Sequence, residues 1–206
     1  SVDFIPNYDN TTTEPRLLPT KFPNILVNNS MGIAVSMASS FCGFNLTETC
    51  EAVITYLKGE DLPILIPDLT TGGFIINDES AIQEINQVGR GSVILRGKAS
   101  ISNNRKSIEI TEIPFSTSIE QILESIIDQV KSGKLKDIVD ARDMSDINGL
   151  RILIELSRGA DPHKILSQLY QKTPLQSSLS CNFNILINGK PRILGVQGIL
   201  SEWVKF

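Results

Sequence analysis

Few residues in this chain have side chains suited to covalent or metal chemistry, and their spacing narrows what they can do. His163 is the single histidine. A nucleophilic hydrolase needs a serine or cysteine beside a base, but His163 directly follows Pro162 in the first turn of an expected helix, where an exposed helix-start role is the plainer reading. Cys42, Cys50 and Cys181 are odd in number and lack ligand-like spacing, as expected of free thiols in a reducing compartment. In DARDMSD, Asp140, Asp143 and Asp146 recur every third residue. That pattern suits a hard-cation site, and equally the turn of a hairpin, where Asp and Ser are turn formers and Arg142 lies within the cluster. Arg90, between Gly89 and Gly91, belongs to no phosphate loop, since the motif is too short. The set Arg90, Arg96, Lys98, Arg105 and Lys106 fits either a phosphate backbone or the solvated face of a hairpin.

The stretch NILVNNSMGIAVSMA, from Asn24 to Ala38, poses a different question. Apolar runs flank the polar triplet Asn28-Asn29-Ser30, and Gly32, Ile33 and Ala34 follow at once. Ile25 and Val27 can form one strand with Ile33 and Val35 as its partner, which makes Ile33 a core residue. Alternatively the small neighbours Gly32 and Ala34 let the backbone approach a groove, and Ile33 is an apolar wedge of the kind that unstacks base pairs and bends DNA.

The elements that must position these residues are legible in part. Residues 1 to 23 carry four prolines among polar residues and read as an extended segment. Asn45 with Glu48 marks a helix start, Gly59 its end, and Leu46, Cys50, Val53, Ile54 and Leu57 share a helical face. Short strands are expected at Ile64–Ile66 and Phe74–Ile76, and a short helix from Ser80 to Gln87. In SVILRGKASI, Val93, Leu95, Gly97, Ala99 and Ile101 alternate with Ile94, Arg96, Lys98 and Ser100, as in a strand with one mostly apolar and one mixed face. Asn103-Asn104 then supplies a hairpin turn and Ile108 and Ile110 a return strand. Thr117 with Glu120 reads as a capping box for a helix through Val130, ended by Gly133. Strands at Ile138–Asp140 and Leu150–Leu156 precede a helix started by Asp161-Pro162. The fold expected is α+β with two lobes. One spans residues 1–88, with 179–206 packing back on it around an Asn188-Gly189 turn; the second, 89–178, is a ββαββα two-layer sandwich on a mainly antiparallel sheet.

At 206 residues the chain is long enough for either arrangement. No apolar run reaches the about eighteen residues of a membrane span, and the start lacks the pattern of a signal peptide, so a cytoplasmic location and no membrane partner are expected. A net charge of −4 argues against a stand-alone nucleic-acid binder, whose surface is usually basic. Any contact with DNA must be local.

VDFIPNYD, EPRLLPTKFPNILVN, GIAV followed by MA, TGG, GRGSV, TEIPF, RDMSD followed by GLRI, QLYQKTPLQSS and NGKPR resemble, in order and over nearly the whole chain, the DNA-cleaving A subunit of bacterial type IIA topoisomerases, the gyrase and topoisomerase IV family. The resemblance implies a tower domain, in which an isoleucine of the GIAV stretch inserts between base pairs of the DNA segment to be cut. Ile33 is the matching residue, and Asn28, Ser30, Met31, Gly32 and Ala34 are the DNA-facing residues expected beside it. It also implies an ATP-dependent enzyme, double-stranded DNA as partner, a B subunit carrying Toprim and ATPase domains with Mg2+ and ATP, and an A2B2 assembly. The family's tyrosine nucleophile follows an arginine, whereas Tyr8, Tyr56 and Tyr170 follow Asn7, Thr55 and Leu169. No catalytic residue, metal site or cofactor is therefore expected in this stretch, and alone it should cleave nothing. Asn29 and Ser36 stand where the family usually has glycine, and Phe44 lies where it has Pro-Pro-His-Asn. A regulatory or protein-interaction α+β module without a DNA role is the alternative.

Overall fold

The computed structural model describes residues 2–35, 37–76 and 79–206. In chain order the elements are β1 (Phe4–Pro6), β2 (Thr13–Pro15), α1 (Asn24–Val27), β3 (Ser30–Ala34), β4 (Met37–Phe41), α2 (Leu46–Lys58), β5 (Phe74–Ile75), α3 (Glu79–Val88), β6 (Arg90–Arg96), β7 (Lys98–Ile101), β8 (Ser107–Glu112), α4 (Ile119–Lys131), β9 (Ile138–Asp143), β10 (Ile152–Leu156), α5 (Pro162–Lys172), β11 (Gln176–Asn182), β12 (Asn184–Ile187), β13 (Lys190–Ile193) and α6 (Val196–Lys205). The class is α+β, and every strand pairing is antiparallel among the described residues.

The ββαββα unit runs from β7 to α5 on a sheet ordered β7-β8-β10-β9. Ile108, Ile110, Ile152 and Ile154 line its inner face and meet Ile122 and Ile126 of α4 and Ile165 and Leu169 of α5 in one buried cluster. α4 buries these residues because its apolar positions recur at helical spacing. Its capping box is Ser118 with Gln121, one residue beyond the expected Thr117–Glu120 pair. α5 starts as expected, with Asp161 accepting from the His163 N–H at 3.1 Å and Pro162 behind it.

The strand read through residues 93–101 is two strands in two sheets, and the cause is Gly97. β6 belongs with β5, β11, β4 and β3 in a five-stranded sheet, while β7 belongs to the sandwich. At the seam the Gly97 N–H donates to the Leu175 carbonyl at 2.8 Å and its own carbonyl accepts from the Tyr170 hydroxyl at 3.0 Å. A Cβ there would sit 2.6 Å from Leu175 Cδ1 and 2.7 Å from the Glu112 carbonyl, so only glycine lets the three segments approach. β6 thus pairs with β5 and β11, and the sandwich sheet begins at β7.

The five-stranded sheet, ordered β3-β4-β11-β6-β5, packs its buried face on α2, α3 and α6 through Ala52, Ile85, Ile199 and Leu200. Asn45 caps α2 by accepting from the Thr47 and Glu48 N–H groups, and Gly59 closes it in the left-handed conformation. The face that α2 buries differs from the one expected: Thr49 and Ala52 are buried and Val53 and Tyr56 pack on the core, while Leu46, Ile54 and Leu57 are exposed. Ile64–Ile66 is not a strand; Pro67 instead makes an isolated bridge with Phe44. Cys42, Cys50 and Cys181 are free thiols.

The landmark motifs meet across the two sheets. The Gly73 N–H of TGG donates to Glu112 Oε2 of TEIPF at 2.5 Å, and Lys98 Nζ reaches Glu112 Oε1 at 3.2 Å. The hydrogen bond from Gly73, the largest effect, holds the Glu112 carboxyl below its usual range; burial opposes it, and Lys98 adds a lesser lowering.

Candidate nucleic-acid interface

Residues 24–27, expected as a strand, form the single helical turn of α1, which buries Leu26 and leaves Ile25 partly exposed. The polar triplet is not a turn tip. Asn28 is exposed and closes α1, its N–H donating to the Asn24 carbonyl at 2.9 Å. β3 then runs outward and β4 returns, with Ser30 opposite Phe41, Gly32 opposite Ser39, Ile33 opposite Ala38 and Ala34 opposite Met37. The tip is the two-residue link Val35-Ser36, of which Ser36 lies outside the described residues. Asn10, Arg105 and Asn188 are the non-glycine residues at positive φ among those described. Asn29 therefore takes the position where the family usually has glycine without a left-handed backbone, and Val35, also at negative φ, does not fit the first position of the I′ and II′ turns that two-residue hairpins favour.

Period-two alternation sorts the side chains. Met31 and Ile33 share one face, Gly32 and Ala34 the other. Ile33 is 86% exposed, with Val35 at 96% and Met31 at 65%. No residue from Ser30 to Phe41 carries charge. A cluster of exposed large apolar side chains on an uncharged hairpin is the informative departure from ordinary surface composition. Ile33 is not core; it stands clear of the protein.

The root of the hairpin is held firmly. Phe41 is buried and stacks on Phe183 with ring centroids 4.5 Å apart, and Phe44 meets Phe183 edge-on at 6.1 Å. Phe44 N–H donates to the Leu26 carbonyl at 2.7 Å, clamping the two legs. Asn182 Nδ2 donates to the Ala38 carbonyl at 2.7 Å, and Ser39 Oγ donates to the Asn184 carbonyl at 2.9 Å. Rigid backing lets a tip push on a ligand without folding back. Asn182 and Asn184, like the exposed Val35, escaped the sequence reading. Alternation through SMGIAV was a signal for Val35; nothing local signalled the two asparagines, which lie about 145 residues away, as the Ser39–Asn184 separation of 145 shows.

The other candidates lie apart. Asp140 faces Arg142 at 3.2 Å, and the same arginine reaches Glu155 at 2.6 Å. Asp143 accepts from the Ser145 N–H and Asp146 from the Asn148 N–H, both at 2.8 Å. Those contacts with Ser145 hold the Asp143 carboxyl below its usual range. The three carboxylates thus serve the β9–β10 turn, and no group of three metal-ligating side chains converges among the described residues. His163 is exposed at the start of α5. The basic set is dispersed: Arg90 and Arg96 on β6, Lys98 against Glu112, Arg105 and Lys106 in the β7–β8 turn.

An α+β chain with an exposed apolar hairpin on an antiparallel sheet has a counterpart among known proteins. The family model described as the A subunit of DNA gyrase/topoisomerase IV matches residues 1–206. The chain is 40% identical over 218 residues to the chloroplastic/mitochondrial DNA gyrase A subunit of Nicotiana benthamiana, covering 100% of this chain and 23% of the relative. It is 39% identical over 214 residues to the DNA gyrase A subunit of Metamycoplasma arthritidis (99% and 24%), and 38% identical over 216 residues to that of Clostridium acetobutylicum (100% and 26%). The chain belongs to the family of DNA gyrase and topoisomerase IV A subunits and spans about a quarter of the length of these relatives. Among the described residues no helix is long and apolar enough to cross a membrane.

Proposed function

We propose that this chain is the part of a type IIA topoisomerase A subunit that receives the DNA segment to be cut and bends it, with Ile33 as the wedge. The observation that carries the reading is Ile33 exposed near the tip of an uncharged, firmly rooted hairpin in a chain of this family. Insertion between two base pairs would trade unstacking energy for contacts that a bent duplex makes with the protein. Met31, Gly32, Ala34, Ser30 and Asn28 are the proposed neighbours of the DNA. Gly32 and Ala34 place no bulk between the backbone and the groove.

The chain's own contribution is positioning: a bent duplex presents its phosphates to groups held elsewhere. The tyrosine nucleophile is proposed to lie in another part of the A subunit, and Mg2+ and ATP in a B subunit whose metals would assist transfer at phosphate. Among the described residues no group of three metal-ligating side chains converges; no step is assigned to Mg2+ or ATP within this chain, and the isolated stretch is proposed to be inactive. An A2B2 assembly is proposed for the whole enzyme. Its location is proposed to be the compartment that holds the duplex: the cytoplasm of a bacterial cell, or an organelle of the kind named for the Nicotiana relative. The test is to replace Ile33 by alanine in the full-length protein, in complex with its partner, and to measure bending and cleavage together. Unchanged bending would sink the wedge role.

A further inference from the structure

Little backbone joins the hairpin that carries Ile33 to the rest of its sheet. β11 runs against β6 along its whole length, from Gln176 opposite Arg96 to Asn182 opposite Arg90, but among the described residues it meets β4 at one pair, Asn182 with Ser40. β4 continues past that pair toward the tip, through Ser39 and Ala38, paired there to no strand other than β3. A backbone carbonyl beyond the end of a ladder needs a partner of another kind. The Ala38 carbonyl has two: it accepts from Asn182 Nδ2 at 2.7 Å and from Asn184 Nδ2 at 3.4 Å, while Ser39 Oγ donates to the Asn184 carbonyl at 2.9 Å. Ala38 is the residue directly across from Ile33.

The two ends of the Asn182 amide are not interchangeable. A guanidinium can only donate, so the amide oxygen must face Arg90 Nε, at 3.3 Å; a carbonyl can only accept, so the amide nitrogen must face Ala38. The amide therefore ties β6 to β4 across the end of β11, in the order Arg90, Asn182, Ala38. Arg90 follows Gly89, whose left-handed backbone turns its carbonyl onto the Phe183 N–H at 2.7 Å. The donor end of the line is thus fixed to the segment that stacks on Phe41. With Ser40 as the last backbone joint, Ala38 lies ~6.6 Å and Val35 ~16 Å along the hairpin, at ~3.3 Å per residue. A shift of ~1 Å at Ala38 then grows to ~2.5 Å at the tip, most of the ~3.4 Å between successive base pairs.

We infer that Asn182 is the positioning residue of the wedge: its amide, oriented by Arg90, holds the carbonyl behind Ile33 and so fixes the angle at which Ile33 meets the duplex. The inference rests on the reading of Ile33 as a DNA wedge. Asn182 acts through Ala38 and needs no contact with DNA. Phe41 and Phe183 fasten the root of the hairpin, and Asn182 fastens the arm beyond it.

The experiment uses the full-length protein in complex with its partner, as parent and as Asn182→Ala, Asn182→Asp and Ile33→Ala. Aspartate has the shape of asparagine and keeps an oxygen for Arg90, but it sets an acceptor against the Ala38 carbonyl where the donor was. Three readings are taken: amide hydrogen exchange without DNA, a thermal melt, and the bent population of a duplex carrying a dye at each end. Both Asn182 variants should speed exchange across β3 and β4 and leave the sandwich sheet as in the parent. Both should lower the bent population by about two- to twelvefold, the range of one neutral hydrogen bond, with aspartate no milder than alanine. An asparagine that merely stabilises the fold gives another pattern, in which aspartate behaves as the parent because the Arg90 bond survives, and any loss of bending follows the melt; that pattern overturns the inference. Exchange and bending as in the parent for both Asn182 variants, with bending lost in Ile33→Ala, overturns the positioning role and spares the wedge. Faster exchange in both, with bending unaltered in Ile33→Ala, overturns the wedge and leaves Asn182 as the brace of a hairpin that does not bend DNA.

Discussion

Replacing Ile33 by alanine separates folding from the proposed bending of DNA. Ile33 is 86% exposed and its cross-strand partner is Ala38, so the substitution removes almost no buried area and should move stability by less than about 0.5 kcal/mol. On the DNA the arithmetic differs. Isoleucine has three more carbons than alanine, and each is worth about 0.8 kcal/mol when buried. A wedge fully enclosed by two base pairs therefore loses about 2.4 kcal/mol, close to a fiftyfold shift of the bent–straight equilibrium. The assay is energy transfer between dyes at the two ends of a duplex, titrated with the assembled full-length enzyme and read beside a thermal melt. The expected result is an unchanged melt with the bent population reduced by more than tenfold. A variant that melts normally and bends DNA as the parent does would refute the reasoning, since an exposed side chain has no other route to matter here.

Three further outcomes follow from the geometry. Gly97→Ala forces a Cβ to within 2.6 Å of Leu175 Cδ1 and 2.7 Å of the Glu112 carbonyl; it should destabilise the chain by about 1–3 kcal/mol, as overpacking does, measured by denaturant unfolding. Glu112 has a folded pKa below its unfolded value because of the Gly73 and Lys98 contacts, so its contribution is full above the unfolded pKa and is lost as pH falls through the folded one. Since the side chain is 34% exposed, Glu112→Gln should cost only about 1 kcal/mol at neutral pH, and the gap from the parent should close on acidification below about pH 4. Ile154→Ala empties a fully buried position of the sandwich sheet and should cost about 2–5 kcal/mol in the same denaturant assay.

Local chemistry carried much of the fold into the sequence. Asn45, Gly59, Gly133, Asp161-Pro162 and Asn188-Gly189 sit at element ends because each satisfies a local backbone requirement, and such requirements are visible within a few residues. Long-range closeness was not legible in this way. Gly97 breaks a strand because Leu175 and Glu112 crowd it from distant segments, and a period-two pattern runs through the break undisturbed. The apolar face of α2 misled for a related reason: Leu46, Ile54 and Leu57 match the helical period but point outward, while the smaller Thr49 and Ala52 meet the core. At the hairpin, spacing alone left Ile33 between core strand and wedge. Its exposure was decided by α1, which replaces the supposed partner strand, and by Phe41 and Phe183, which root the hairpin so that its tip stands free.

The central claim is that Ile33 opens one base step. It is tested most directly by moving the fluorescent adenine analogue 2-aminopurine step by step through a duplex bound to the assembled enzyme, because its emission rises when stacking is lost. The account predicts a rise confined to the step beside each copy of Ile33, absent with Ile33→Ala while binding persists. Uniform emission along the duplex, or a rise that survives the alanine substitution, would contradict it.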